Sequence, residues 1–179
     1  MSTTLAVSIL PFRKPTAGRR LDPQRLGAHM DRLYRAAWGL CGSREEAEDL
    51  VQETYARVLR KPRFLRSEDD LAYLMRALRN TFFDARRAGS RGLQTISPPI
   101  DLESFEDHRA VQAESRVDIG ELFRVISELP EGFRDAVIAI DLLGLSYEEA
   151  ARALKVREAT IASRVYRGRQ RLVDALTAE

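Results

Sequence analysis

The chain has 179 residues with 29 basic and 27 acidic side chains, a formal net charge of +2. That length supports one large or two small domains with a real core, and the near-balance of charge excludes a nonspecific polycation. A single cysteine, Cys41, excludes an internal disulfide and favours a reducing compartment, while His29 and His108 stand apart from any metal-ligand spacing, so no metal or other cofactor is expected.

Residues 1–21 read as a flexible basic N-terminal arm, with Pro11, Pro15 and Gly18 among Arg13, Lys14, Arg19 and Arg20. Its apolar run LAVSIL follows no basic residue and is too short for a signal peptide or a membrane span, so a cytoplasmic location without membrane insertion is expected. Asp22-Pro23 is a helix-opening pair, and Leu26, Met30, Leu33, Ala37 and Leu40 form an apolar stripe that ends at Cys41-Gly42. Ser43 and Glu46 form a capping box for a second helix, to about Arg60, with Ala47, Leu50, Val51, Tyr55 and Val58 inward. Pro62 breaks it, and Arg63 to Asp70 form a polar connection. A third helix carries Leu71, Leu74, Met75, Leu78, Phe82 and Ala85 inward and fades at Gly89.

Residues 90–115 hold Gly92, Pro98, Pro99 and the acids Asp101, Glu103, Glu106 and Asp107, too little apolar matter for a core, so they read as a linker. Ile119, Leu122, Ile126 and Leu129 mark the next helix, stopped by Pro130. Phe133, Val137, Ile140 and Leu143 mark another, closed by Gly144. Ser146 with Glu149 is a further capping box. Its helix runs to about Leu154, with Ala150 and Leu154 inward, and the connection Lys155-Val156-Arg157 has the length of a helix-turn-helix. On the last helix Ile161, Val165, Gly168, Leu172 and Leu176 form a buried stripe. No strand alternation of useful length appears. The expected fold is all-α, two small helical bundles joined by a flexible linker, the second containing a helix-turn-helix.

Three polar faces remain. On the last helix Arg157, Thr160, Arg164, Arg167 and Arg171 step by three and four opposite the buried stripe, and planar guanidinium forks suit phosphates and guanine edges in a major groove. An ordinary solvated basic face is the plainer alternative. All but three of the basic residues are arginine, which fits phosphate recognition and fits genomic base composition equally. On the second helix Glu45, Glu46, Asp49, Gln52 and Glu53 lie away from the apolar side. Complementation of the helix dipole accounts for the first acids but not for Gln52 and Glu53, which suggest a protein-docking face. On the third helix Tyr73, Arg76, Arg79, Asn80, Phe83, Arg86 and Arg87 combine cations, rings and an amide, able to hold phosphates and stack unpaired bases. Phe82 and Phe83 cannot both enter one core from adjacent positions, unless Phe83 packs against a neighbouring element.

The segments EEAEDLVQETYARVLR, YLMRALRNTFFDARR, ELPEGFRDAVIAIDLLGLSYEEAARAL and TIASRVYRGRQRL resemble a bacterial sigma factor of the extracytoplasmic-function (ECF) group, in order and spacing over about residues 22 to 176. The resemblance implies a region 2 domain over 22–89 that binds core RNA polymerase and the minus-ten element, and a region 4 domain over 116–177 that binds the minus-thirty-five element. It places Asp49, Gln52 and Glu53 on the polymerase-docking helix. Tyr73, Arg76, Asn80, Phe83 and Arg87 fall beside melted minus-ten DNA, and the connection Arg63 to Asp70 corresponds to a base-capturing loop. Arg157, Thr160, Arg164, Arg167 and Arg171 fall on the minus-thirty-five recognition helix. It further implies duplex and melted promoter DNA and an anti-sigma protein as partners, and no enzymatic activity. The sequence departs from the family at Tyr73, where tryptophan is common, at Glu158-Ala159-Thr160 in place of a glycine-threonine step, and at Gly168 in place of alanine. A stand-alone helix-turn-helix regulator is the alternative. A nucleic-acid enzyme has little support, since no paired carboxylates, nucleophile-base pair or phosphate-binding glycine loop appears.

Overall fold

A computed structural model describes residues 19–20, 26–60, 64–65, 70–89 and 118–178. The first bundle comprises α1 (Met30–Cys41), α2 (Arg44–Arg60) and α3 (Asp70–Gly89). The second comprises α4 (Ile119–Glu128), α5 (Glu131–Val137), α6 (Tyr147–Leu154) and α7 (Glu158–Thr177), with a π-helical turn over Ile138–Leu142 continuing α5. Among the described residues the extended segments are β1 (Arg19–Arg20) and β2 (Phe64–Leu65), which pair antiparallel. Residues 1–18, the Asp22-Pro23 pair and the linker 90–115 lie outside the described residues.

Local signals act as expected at most helix ends. The Glu46 N–H donates to the Ser43 hydroxyl at 3.3 Å at the start of α2. Asp118 caps α4 by accepting from the Gly120 N–H at 3.0 Å. At α6 both halves of the capping box form, the Glu149 N–H on the Ser146 hydroxyl and the Ser146 N–H on the Glu149 carboxylate.

The first bundle buries Leu33, Leu40, Ala47, Leu50, Val51, Leu74, Met75 and Leu78. Its Tyr55 hydroxyl donates to the Leu26 carbonyl at 2.9 Å, and burial pushes that phenol up to about 12. Ala85, expected inward, is exposed. In the second bundle Ala150, Ile161, Val165 and Gly168 are buried, and Gly168 meets Phe133 and Val137 of α5. A Cβ built at Gly168 would lie 2.6 Å from Val137 Cγ2, so glycine is what lets α7 come this close.

The two bundles pack on each other through one continuous core. Ala36, Ala37, Trp38, Gly39 and Leu40 are all buried in succession, which an amphipathic surface helix cannot do. α1 is therefore sandwiched: it packs on α2 and α3 of the first bundle, while its Trp38 stacks on Phe123 of α4 with ring centroids 4.1 Å apart and planes 7° from parallel. A Cβ at Gly39 would lie 2.9 Å from Leu142 Cδ1, 3.2 Å from Ile138 Cγ1 and 3.3 Å from Ile126 Cγ2, all on the second bundle.

Candidate nucleic-acid interface

α6 ends at Lys155 in the left-handed conformation (φ 56°, ψ 44°), its N–H bonded back to the Ala151 carbonyl, and Arg157 in extended backbone opens α7. This reversal produces a helix-turn-helix, with α6 buried along Ala150, Ala151 and Ala153. On α7 the cationic side chains divide by contact. Arg157, Arg167 and Arg171 are exposed; Thr160 and Arg164 are half-buried. Arg164 lies along α5, where its guanidinium carbon would be 3.2 Å from a Cβ at Gly132, and Arg171 sits 5.1 Å over the Phe133 ring. The open cationic face is therefore narrower than the spacing suggested. Arg157 and Arg167 stand clear, while Arg164 and Arg171 flank them and also brace α7 on α5. Arg169 turns to another side and holds Asp141 through two hydrogen bonds, at 2.5 and 3.1 Å.

α3 is one unbroken helix, so Tyr73, Arg76, Asn80, Phe83 and Arg87, stepping by three, four, three and four, fall into a single stripe. Arg76, Asn80 and Arg87 are exposed; Tyr73 and Phe83 are half-buried. The adjacent phenylalanines part company as their spacing requires. Phe82 is buried between the bundles with Arg134 5.2 Å over its ring, and Phe83 lies edge-on to it at 5.4 Å beneath Arg79. Arg79 borders the stripe but reaches across to the second bundle, donating to Asp135 and Glu131 at 2.5 Å each.

Sequence patterning had placed Arg134 and Asp135 on no face, yet both are buried. Burial pushes the Asp135 carboxyl above the usual carboxylate range, against the opposing pull of the Arg79 hydrogen bond and charge. Arg134 Nε and Asp135 Oδ1 lie 3.6 Å apart and neither has a hydrogen-bond partner. The one sequence signal was a charged pair set inside the apolar run FRDAVIAI.

On α2, Asp49 is exposed and Gln52 and Glu53 are half-buried on the outer side. Glu53 is bridged to Arg57 at 2.6 Å, and Arg57 reaches Asp84 of α3 at 2.9 Å. α2 and α3 pack directly on each other, and Arg57 links the acidic face of α2 to Asp84 on α3. Cys41 is half-buried, and burial pushes its thiol up to about 12, which keeps it protonated and unreactive. Among the described residues no helix is long and apolar enough to cross a membrane.

Two family models match the chain: sigma-70 region 2 over residues 26–92 and sigma-70 region 4 over residues 119–172. The ECF RNA polymerase sigma factor SigE of Mycolicibacterium smegmatis is 38% identical over 150 residues, spanning 83% of this chain and 58% of SigE. SigM of Bacillus subtilis, also an ECF RNA polymerase sigma factor, is 32% identical over 146 residues, spanning 80% of this chain and 88% of SigM. Among solved structures, the sigma factor RpoE in complex with the anti-sigma factor NepR from Bartonella quintana aligns with a TM-score of 0.63 and 28% identity, covering 87% of this chain and 96% of RpoE. CnrH, in complex with the cytosolic domain of CnrY, has the same fold at a TM-score of 0.62 and 21% identity, covering 87% of each chain.

Proposed function

The chain belongs to the ECF group of RNA polymerase sigma factors, and we propose that it works by dividing three tasks among three helices. As an alternative sigma factor it directs core RNA polymerase to promoters and initiates transcription there. In our assignment Asp49, Gln52 and Glu53 of α2 dock on a basic surface of the core enzyme. Arg157, Thr160, Arg164, Arg167 and Arg171 of α7 engage duplex DNA at the minus-thirty-five element. Tyr73, Arg76, Asn80, Phe83 and Arg87 hold the melted minus-ten strand. The observation that carries this is the α3 stripe, where rings, guanidinium groups and an amide alternate along one side of a helix fixed beside the acidic face of α2. Opening then needs no catalytic residue, because stacking of each unpaired base contributes about 1–3 kcal/mol to the open state. The protein acts in the cytoplasm, where polymerase and DNA are, and it is bound by an anti-sigma protein, as RpoE is in its complex with NepR.

The closed packing bears directly on this function. Promoter elements about 25 base pairs apart, at about 3.4 Å each, lie roughly 85 Å from each other. A compact chain of this size has a radius of gyration of about 16 Å, a span of roughly 40 Å. Trp38 and Phe123 cannot stay stacked while each bundle reaches its own element, and Arg79 must release Asp135 and Glu131. The function is checked by run-off transcription on promoters selected from a random DNA pool. Core enzyme plus this chain initiates where core alone does not, and equal initiation by both overturns the assignment. Asp49→Arg with Glu53→Arg should abolish co-elution with core enzyme while leaving binding of isolated duplex DNA intact; a stand-alone regulator would keep its regulatory activity.

A further inference from the structure

Arg79 is a cation of α3 that the strand-holding stripe leaves aside. Arg76 lies three residues before it and Phe83 four residues after it, so Arg79 shares a side of α3 with two members of that stripe. Its guanidinium rests 4.8 Å over the Phe83 ring. Among the described residues both carboxylates on Arg79 come from the second bundle. Nε donates to Asp135 Oδ2 and Nη2 to Glu131 Oε1, each at 2.5 Å. Nε and Nη2 form one edge of the guanidinium fork, and two anionic oxygens along such an edge are what a phosphate group offers it. Glu131 and Asp135, four residues apart on α5, present those two oxygens from two side chains.

Asp135 is buried, and burial pushes its carboxyl above the usual carboxylate range. Desolvation therefore offsets much of what its ion pair gains, which makes the pair a weak fastening for bundles that already share a continuous core. Closing leaves much of the stripe open, since Arg76, Asn80 and Arg87 stay exposed. What the second bundle withdraws from α3 is the Arg79 fork.

We propose that Arg79 is a phosphate contact of the melted-strand site, and that Glu131 and Asp135 stand in for the phosphate while the chain is closed. The ligand is the sugar-phosphate backbone of single-stranded DNA. Strand and carboxylates compete for one fork, so a strand bound through Arg79 favours parted bundles, and parting the bundles strengthens strand binding by the same factor. The inference rests on the assignment of α3 to promoter opening.

The first test measures the full chain, without polymerase, on a single-stranded oligonucleotide carrying the minus-ten strand of a selected promoter. Glu131→Gln, at a side chain more than half exposed, should raise affinity several-fold, and adding Asp135→Asn should raise it further. Arg79→Ala combined with either should cancel the gain, because the carboxylates act through that fork. Were Arg79 a fastening alone, Arg79→Ala would part the bundles too and raise affinity as Glu131→Gln does. That result overturns the inference, as does unchanged affinity in both carboxylate variants. The second test uses holoenzyme assembled from core polymerase and the full chain, on a promoter fork with a single-stranded minus-ten extension and on the same promoter as duplex. Arg79→Ala should weaken binding to the fork more than to the duplex. It should also lower the slope of log affinity against log salt on the fork by about 0.7, the value for one single-strand phosphate contact. An unaltered slope, or an equal loss on both probes, overturns the inference. If the unmodified chain with core enzyme leaves promoter thymines unreactive to permanganate, the function is wrong and the inference falls with it. If it opens promoters and the variants give the refuting results, the inference alone falls.

Discussion

Gly39→Leu separates the closing of the bundles from every DNA- or polymerase-binding side chain. Alanine at this site is mild, because its Cβ would meet the far end of Leu142 at 2.9 Å, a half-buried side chain that can give way. Replacing a helical glycine also gains about 1 kcal/mol of propensity. Leucine adds three further carbons into a gap already bounded by Leu142, Ile138 and Ile126, and overpacking of that kind costs about 1–3 kcal/mol. That cost falls on the closed form alone, since parting the bundles leaves residue 39 facing solvent on an intact α1. The ratio of closed to open chain should therefore fall by about 5- to 150-fold. Trp38 reports the change, being the chain's single tryptophan and stacked on Phe123 in the closed form. Its emission should shift to the red, and the radius of gyration from small-angle scattering should rise above about 16 Å. Far-ultraviolet helix content should stay constant, and core polymerase should bind faster because less closing must be undone. Unchanged tryptophan emission and scattering in a well-folded Gly39→Leu chain would show that the contact between bundles does not control opening.

Arg167→Ala should weaken minus-thirty-five duplex binding by about 1–3 kcal/mol with an unchanged melting temperature, if the exposed side chain reads a base. Arg164→Ala should lower the melting temperature as well, because that side chain is packed along Gly132, and equal thermal stability of the two variants would contradict this. Gly168→Ala should cost stability despite a gain of about 1 kcal/mol in helix propensity, since the new methyl overlaps the buried Val137 and overpacking costs about 1–3 kcal/mol; a raised melting temperature refutes it. Ser146→Ala should cost about 1 kcal/mol by removing the α6 cap. The Glu149 carboxyl is held below its ordinary 4.5, first by the Ser146 backbone N–H and then by its hydroxyl. A lowered folded-state pKa gives stability that is full above that ordinary value and is lost as pH falls through the folded value. Glu149→Gln should accordingly flatten the acid side of a melting-temperature profile below about pH 4.5, and an unchanged profile excludes the effect.

Helix identity and most helix ends were legible in the sequence because they depend on local chemistry. The Ser146–Glu149 box, the Pro130 stop and the four-three-four stripe on α7 need no distant partner, and each appears in the structure. The three polar faces were legible for the same reason: a helix fixes which of its residues share a side. Tertiary structure alone decided what those faces meet. Arg164 and Arg171 belong to the stepped cationic row, yet the approach of α5 gives them Gly132 and Phe133 as neighbours. Arg79 looked like one more solvent-facing cation, and the second bundle supplies it with two carboxylates. The sequence stripe of α1 marked Leu33, Ala37 and Leu40 as its one inward face, and the structure buries Ala36, Trp38 and Gly39 as well, because Phe123, Ile126 and Ile138 from beyond the linker cover them. Periodicity records burial along one helix; the choice of partner depends on which distant surfaces fill the remaining volume, and that is settled only when the whole chain packs.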